Sequence, residues 1–205
     1  MRSVTVLTVL FAQLLLTSCA GFGIVATNDP LVKLNDAEYL FMNYDRPLPA
    51  EKLIFEAMDI YQKENNSRGL GNAHREYGEF LLSHSVTKWE KYYRNNGFRD
   101  KTITFENRVA KSSEYFEKAL EFYLKSEKKP LEAEQFDDLS NLYFNIGWTY
   151  FRLHDLNNSC KFYNKSLEAN TENIHRNPTA KPQVSSNFGS FSDMIASEKK
   201  RANCE

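Results

Sequence analysis

From residue 31 onward apolar residues recur at intervals of three and four, a period that lays one buried stripe along each of several α-helices. Leu34, Ala37 and Phe41 predict a helix over Leu31–Met42, and Leu53, Ile54, Ala57, Met58 and Tyr61 predict a second over Ala50–Lys63. Asn43–Pro49 reads as the turn between them, because Pro47 and Pro49 disfavour helix at the residues that precede them. Asn65-Asn66-Ser67 stops the second helix and opens the next, Leu70–Leu82, marked by His74, Tyr77, Gly78 and Leu81. Its partner does not follow at once. The next amphipathic run is Val109–Leu124, with Ser112, Phe116 and Ala119 on one face. After a linker, Ser126–Pro130, the segment Leu131–Leu139 is expected to extend the following helix backwards.

Ser140–Thr171 holds two more helices around a polar turn, His154–Asn158. Tyr143, Ile146, Gly147 and Tyr150 repeat at helical spacing on the first, and Ser159, Tyr163 and Ser166 share a face of the second. A glycine facing small residues lets two helices approach closely while a ring fills the gap. This pattern resembles the tetratricopeptide repeat, a helix–turn–helix of about 34 residues. The same offsets recur at Leu34, Ala37, Glu38 and Phe41, with Glu38 where a small residue is usual, and at His74, Tyr77, Gly78 and Leu81.

The resemblance implies an all-α fold, a short solenoid over residues 31–205. Its repeats fall at about 31–64, 71–126 and 140–173, the second interrupted by an insertion over 84–107. Three repeats are the usual minimum, since one helix pair cannot bury its own apolar face. Pro178–Asn187 reads as a loop, and Ser190–Asn203 as a capping helix (about 190–203) with Phe191, Met194 and Ile195 inward and Ser190 or Ser192 at its start. The resemblance also implies a protein-binding scaffold rather than a catalyst.

The N-terminus follows different rules. Arg2 precedes an apolar run, Val4–Leu16, which is short for a membrane span and suits a signal peptide over residues 1–18. Leu16-Thr17-Ser18-Cys19 resembles the bacterial lipobox, which implies cleavage before Cys19, lipid on Cys19 and a tether over residues 19–30. Ala20, where inner-membrane lipoproteins often carry Asp, implies the periplasmic leaflet of the outer membrane. An ordinary secretory signal is the alternative.

Composition narrows the function. The 205 residues are 41% hydrophobic and 14% aromatic, enough to fold, and 26 Lys+Arg against 27 Asp+Glu leave no global field for nucleic acid. His74, His84, His154 and His175 form no HExxH, no cysteine pair has zinc spacing, and no GxSxG, P-loop or GxGxxG occurs. The expectation is therefore no catalytic residue, no metal and no cofactor. His74 sits at a repeat packing position, which favours a core or interface role. Asp137-Asp138 could do acid–base work only if burial shifted them.

The insertion mixes Trp89, Tyr92, Tyr93, Phe98 and Phe105 with Lys88, Lys91, Arg94, Arg99 and Lys101, around the turn Asn95-Asn96-Gly97. Aromatics and arginine most often anchor protein interfaces, so Trp89, Tyr92, Tyr93, Arg94, Phe98 and Arg99 are the candidate binding residues. Lys88–Tyr93 as a continuation of the preceding helix, with Trp89 and Tyr93 packed on the solenoid, is the competing reading. A groove lined by Asn35, Glu38, Asn141, Asn145, Thr149 and Arg152 is a second candidate surface, without the two-lysine carboxylate clamp of chaperone-binding repeats.

With Cys19 lipidated, Cys160 and Cys204 are left either as a bridge in an oxidising compartment or as a buried thiol and a free one. In plan the chain resembles the small lipoproteins that guard against type VI-secreted phospholipases. The expected partner is then a periplasm-delivered toxin. The rival is a component of an envelope machine (secretin, pilus or secretion system), held by a scaffold lipoprotein. The membrane would be met through the N-terminal lipid only.

Overall fold

The computed structural model describes residues 26–179 and 188–204. The expected signal segment, Cys19 and the tether as far as residue 25 lie outside the described residues, as does most of the loop before the last helix. The described residues form an all-α solenoid. Its helices are α1 (Pro30–Asn43), α2 (Pro47–Lys63), α3 (Ser67–Leu82), α4 (His84–Lys88), α5 (Glu90–Asn96), α6 (Arg108–Ser126), α7 (Lys128–Glu132), α8 (Phe136–Arg152), α9 (Leu156–Arg176) and α10 (Phe191–Arg201).

The principal antiparallel pairs are α1 with α2, α3 with α6, and α8 with α9. Neighbouring pairs stack through α2 on α3 and α6 on α8, and α10 lies on α9. The stripes read from the sequence are the buried ones: Leu34, Ala37 and Phe41 on α1, Leu53, Ile54 and Ala57 on α2, and Ile146 on α8 against Phe162 and Tyr163 on α9.

Close approach at glycine sets the spacing of the later pairs. A Cβ built on Gly147 would lie 2.8 Å from the Tyr163 ring and 3.2 Å from the Ser159 carbonyl. At Gly78 it would meet the Phe116 ring at 2.7 Å. These are equivalent positions of two repeats. Gly147→Ala is expected to lower stability by about 1–2 kcal/mol. Overpacking costs ~1–3 kcal/mol, and the better helix propensity of alanine offsets up to about 1. A denaturant titration showing no loss would mean that Tyr163 has room to move aside.

The helix ends explain where the pattern misjudged boundaries. Helix α2 begins at Pro47, three residues before the expected Ala50, because proline is tolerated in a first turn that has no use for its N–H. Of Leu131–Leu139, only Phe136–Leu139 extends α8 backwards. The chain forms the separate turn α7, then reverses through Glu134 at φ 52°, and α8 starts at Phe136. Left-handed residues at Asn65, Glu134, His154 and Asn203 each close a helix. The residue after each donates its N–H back to a carbonyl, as from Asn66 to Tyr61 (2.9 Å) and Asp155 to Tyr150 (3.0 Å), which satisfies carbonyls the helix leaves free.

Helix α10 is capped by Ser190, whose hydroxyl accepts from the Asp193 N–H at 3.1 Å. Phe191 and Ile195 are buried against Tyr163. Cys160, near the start of α9, is bonded to Cys204 beyond the end of α10, with their Cα atoms 5.5 Å apart.

Candidate functional site

The insertion leaves the repeat after Leu82. In the first and third repeats the chain turns through left-handed Asp45 and His154. In the second, Ser83 caps a new helix instead, its hydroxyl accepting from the Val86 N–H at 3.2 Å. The run Lys88–Tyr93 does not continue α3. It is broken at Trp89, where α4 ends and α5 begins, and α5 ends at Gly97 with φ 70° and ψ 179°. That left-handed glycine folds the following segment back under α5.

This return decides which aromatics face inward. Tyr93 and Phe98, each 1% exposed, stack at 4.2 Å and join Phe80 in the core. Ile103 and Phe105 are buried beside them. Of the six candidate binding residues, Tyr93 and Phe98 are thus buried, and for Tyr93 it is the competing reading, a ring packed on the solenoid, that matches.

Polar anchors secure the same segment. The Glu51 carboxylate on α2 accepts from the Arg99 N–H at 2.7 Å and the Tyr77 hydroxyl at 2.9 Å. Its burial raises its pKa, although these donors and the nearby Arg99 and Lys101 charges pull it back. Asp100 accepts from Tyr115 at 2.7 Å and from Thr102 N–H at 2.9 Å, bonds that outweigh its partial burial and lower its pKa.

The remaining candidates are split by their partners. Arg94 lies over the Phe105 ring at 4.8 Å and is paired with Glu90 at 2.6 Å and with Glu106. Lys88 is paired with Asp45 at 2.5 Å. Trp89 is half-buried and meets Tyr92 edge-on at 6.0 Å, and Tyr92 in turn meets Tyr93 at 5.5 Å. A ladder of rings thus runs from the core to Tyr92, which is 37% exposed. Across a cleft of about 150 Å³ floored by Glu51 and Phe98 stands Arg99, exposed and without a side-chain ion pair among the described residues. Tyr92, Arg99 and the outer edge of Trp89 are therefore what the insertion offers.

The groove is differently occupied. Arg68 pairs with Asp138 at 2.9 Å, Arg75 donates to Asn145 at 2.9 Å, and Arg152 pairs with Glu79 at 2.7 Å, zipping α3 to α8. Arg75 and Arg152 also lie over the Trp148 ring, at 5.4 and 5.6 Å. Of the expected groove residues, Asn35, Glu38 and Asn141 are exposed, while Asn145 and Arg152 are engaged in this zip. Thr149 is buried, its hydroxyl donating to the Asn145 carbonyl at 2.7 Å, so it does not line the groove.

Sequence reasoning missed Arg75, Glu76 and Glu79. Their spacing of one, three and four marks a polar face on α3, but it does not show that the face is shared with α8. His74 stacks on Phe122 at 5.2 Å in the core, and burial with the Lys118 charge pushes it down to about 4.

Among the described residues no cluster of three or more His, Cys, Asp and Glu is placed to hold a metal, and no helix is long and apolar enough to cross a membrane. A cleft of about 730 Å³ between the α2–α3 turn and α7 mixes Arg68, Lys125, Lys128 and Asp138.

No curated protein and no solved structure matches the chain significantly. Residues 140–173, most of α8 with α9, match the tetratricopeptide repeat family. The chain carries a tetratricopeptide repeat within an all-α solenoid, an architecture that serves as a scaffold for binding other proteins.

Proposed function

We propose that the chain is a lipoprotein of the outer membrane's periplasmic leaflet, anchored through Cys19, and that it is an immunity protein against a phospholipase or other toxin delivered to the periplasm. The observation that carries this reading is the ring ladder ending at Tyr92 beside the unpaired Arg99. An aromatic held from behind by packed rings loses little freedom on binding, and the Arg99 side chain, which among the described residues makes no hydrogen bond or ion pair, gives up no such bond. A rigid, specialised projection suits a tight plug on one cognate enzyme.

A scaffold for an envelope machine is the second reading, favoured by Asn35 and Glu38, which stand open on α1. The mature chain, cross-linked to secreted and envelope fractions of its host, separates the two. Immunity predicts one secreted hydrolase, inhibited when bound. Its affinity should fall at least ~30-fold in Tyr92→Ala/Arg99→Ala, as expected for interface anchors worth about 2 kcal/mol. Several envelope proteins, retained by that variant and lost in Asn35→Ala/Glu38→Ala, would replace immunity with the scaffold. Palmitate labelling of the full chain, abolished in Cys19→Ala, tests the anchor separately.

A further inference from the structure

The two ends of the solenoid are finished differently. At the C-terminal end α10 covers α9. At the other, no described helix packs on the outer side of α1. Leu31, Tyr39 and Met42 lie on the side of α1 away from the buried Ala37 and Leu40, and Tyr44 follows its end. These four side chains are 51, 56, 64 and 55% exposed. The Tyr39 and Tyr44 rings meet edge-on at 4.9 Å with their hydroxyls 3.1 Å apart, so the patch is arranged even though it is bare. Repeat ends normally need a polar outer face.

We infer that this edge rests on the bilayer surface, which rests in turn on the lipid-anchored reading above. Ten residues separate Cys19 from Pro30, and extended chain spans at most about 3.6 Å per residue, so the anchor holds the start of α1 within roughly 40 Å of the lipid. The tether enters the fold at the first turn of α1, beside Leu31.

The chemistry of the patch matches a lipid interface. Tyrosine rings settle at headgroup level with their hydroxyls in water, while Leu31 and Met42 reach toward the acyl chains. Its size argues against a second copy. Half of four large side chains is on the order of 400 Å², at about 150–250 Å² for each. A stable dimer buries about 800 Å² per partner. An anchored molecule needs less, because the lipid has already removed most of its translational freedom. Asp29, Asn35 and Glu38 are exposed beside these side chains, and the nearby Lys88 is paired with Asp45, so the contact does not depend on attraction to anionic headgroups and is insensitive to salt.

The test uses the mature chain with Cys160 and Cys204 bridged and the Cys19 thiol coupled to a maleimide lipid in phosphatidylcholine vesicles. Hydroxyl-radical footprinting then compares coupled with free protein. Docking predicts that oxidation of Met42, Tyr39 and Tyr44 falls about fivefold or more on vesicles, at low and high salt alike, with Tyr92 unchanged. In Tyr39→Lys/Met42→Lys, two surface changes that leave the core intact, the protection of Tyr44 should vanish. Equal oxidation of coupled and free protein would overturn the inference. So would protection of free protein accompanied by a dimer mass in light scattering, since a second copy would then cover the edge. Because coupling imposes the anchor, loss of protection counts against docking alone. Absence of palmitate on Cys19 in cells would remove the anchor, and docking with it.

Discussion

Reducing the Cys160–Cys204 bridge is expected to lower stability by about 4 kcal/mol, the loop-closure entropy of a 44-residue separation. At ~2–4 °C per kcal/mol for a chain of this size, Tm should fall by roughly 8–16 °C. The effect is large because the bridge ties the start of α9 to the end of α10, which turns the last helix into a clamp. Phe191 and Ile195 sit against Tyr163, the residue that fills the space beside Gly147. Freeing α10 therefore weakens the packing of α8 on α9 as well as its own. Thermal melts of oxidised, reduced and Cys204→Ser protein read the difference, and hydrogen exchange should show α10 opening first. Unchanged melts on reduction, or two titratable thiols in unfolded, unreduced mature chain, would count decisively against the clamp.

Stability is also expected to fall as pH rises toward 8, with Glu76 as the cause. Its side chain is on α3, the residue is 6% exposed, and its ion pair among the described residues is with Arg75 at 3.7 Å. Burial, reinforced by the like charges of Glu38 on α1 and Glu79 on α3, outweighs Arg75 and raises Glu76 from 4.5 to about 8. Below 4.5 the acid is protonated in both states and its contribution is complete. Above that the unfolded chain releases the proton while the folded chain keeps it. Stability is then lost at up to ~1.4 kcal/mol per pH unit until the folded group ionises.

His74 has the opposite sign. Its folded value is depressed from 6.5 to about 4, so its contribution is present above 6.5 and lost as pH falls through that window. Comparing Glu76→Gln with its parent isolates Glu76 between 6.5 and 8, because His74 contributes equally to both proteins. In Glu76→Gln the slope of Tm against pH should flatten over that range, and the variant should be the more stable protein at pH 8. Parallel curves for variant and parent would show that Arg75 compensates the buried charge in full.

The helices were legible because their cause is local. A stripe such as Leu53, Ile54, Ala57 and Tyr61 states where one helix has its core face, and Gly147 with Ser159 and Tyr163 states that two helices pack closely. Boundaries were less legible. A proline such as Pro47 ends one structure or begins another, depending on whether its missing N–H had a use.

The inside and outside of the insertion could not be read at all from spacing. Tyr92 and Tyr93 are neighbours of one chemical type. The break at Trp89 and the return at Gly97 decide that Tyr93 stacks on Phe98 while Tyr92 meets solvent. Sequence by itself determined the helical period, the paired signature and its interruption after Leu82, since each depends on residues within a turn or two of one another. Tertiary structure alone decided the zip of α3 to α8 across 70 residues, the burial of Glu76, and the bare edge of α1. Those depend on which distant surfaces meet, and a period carries no information about that.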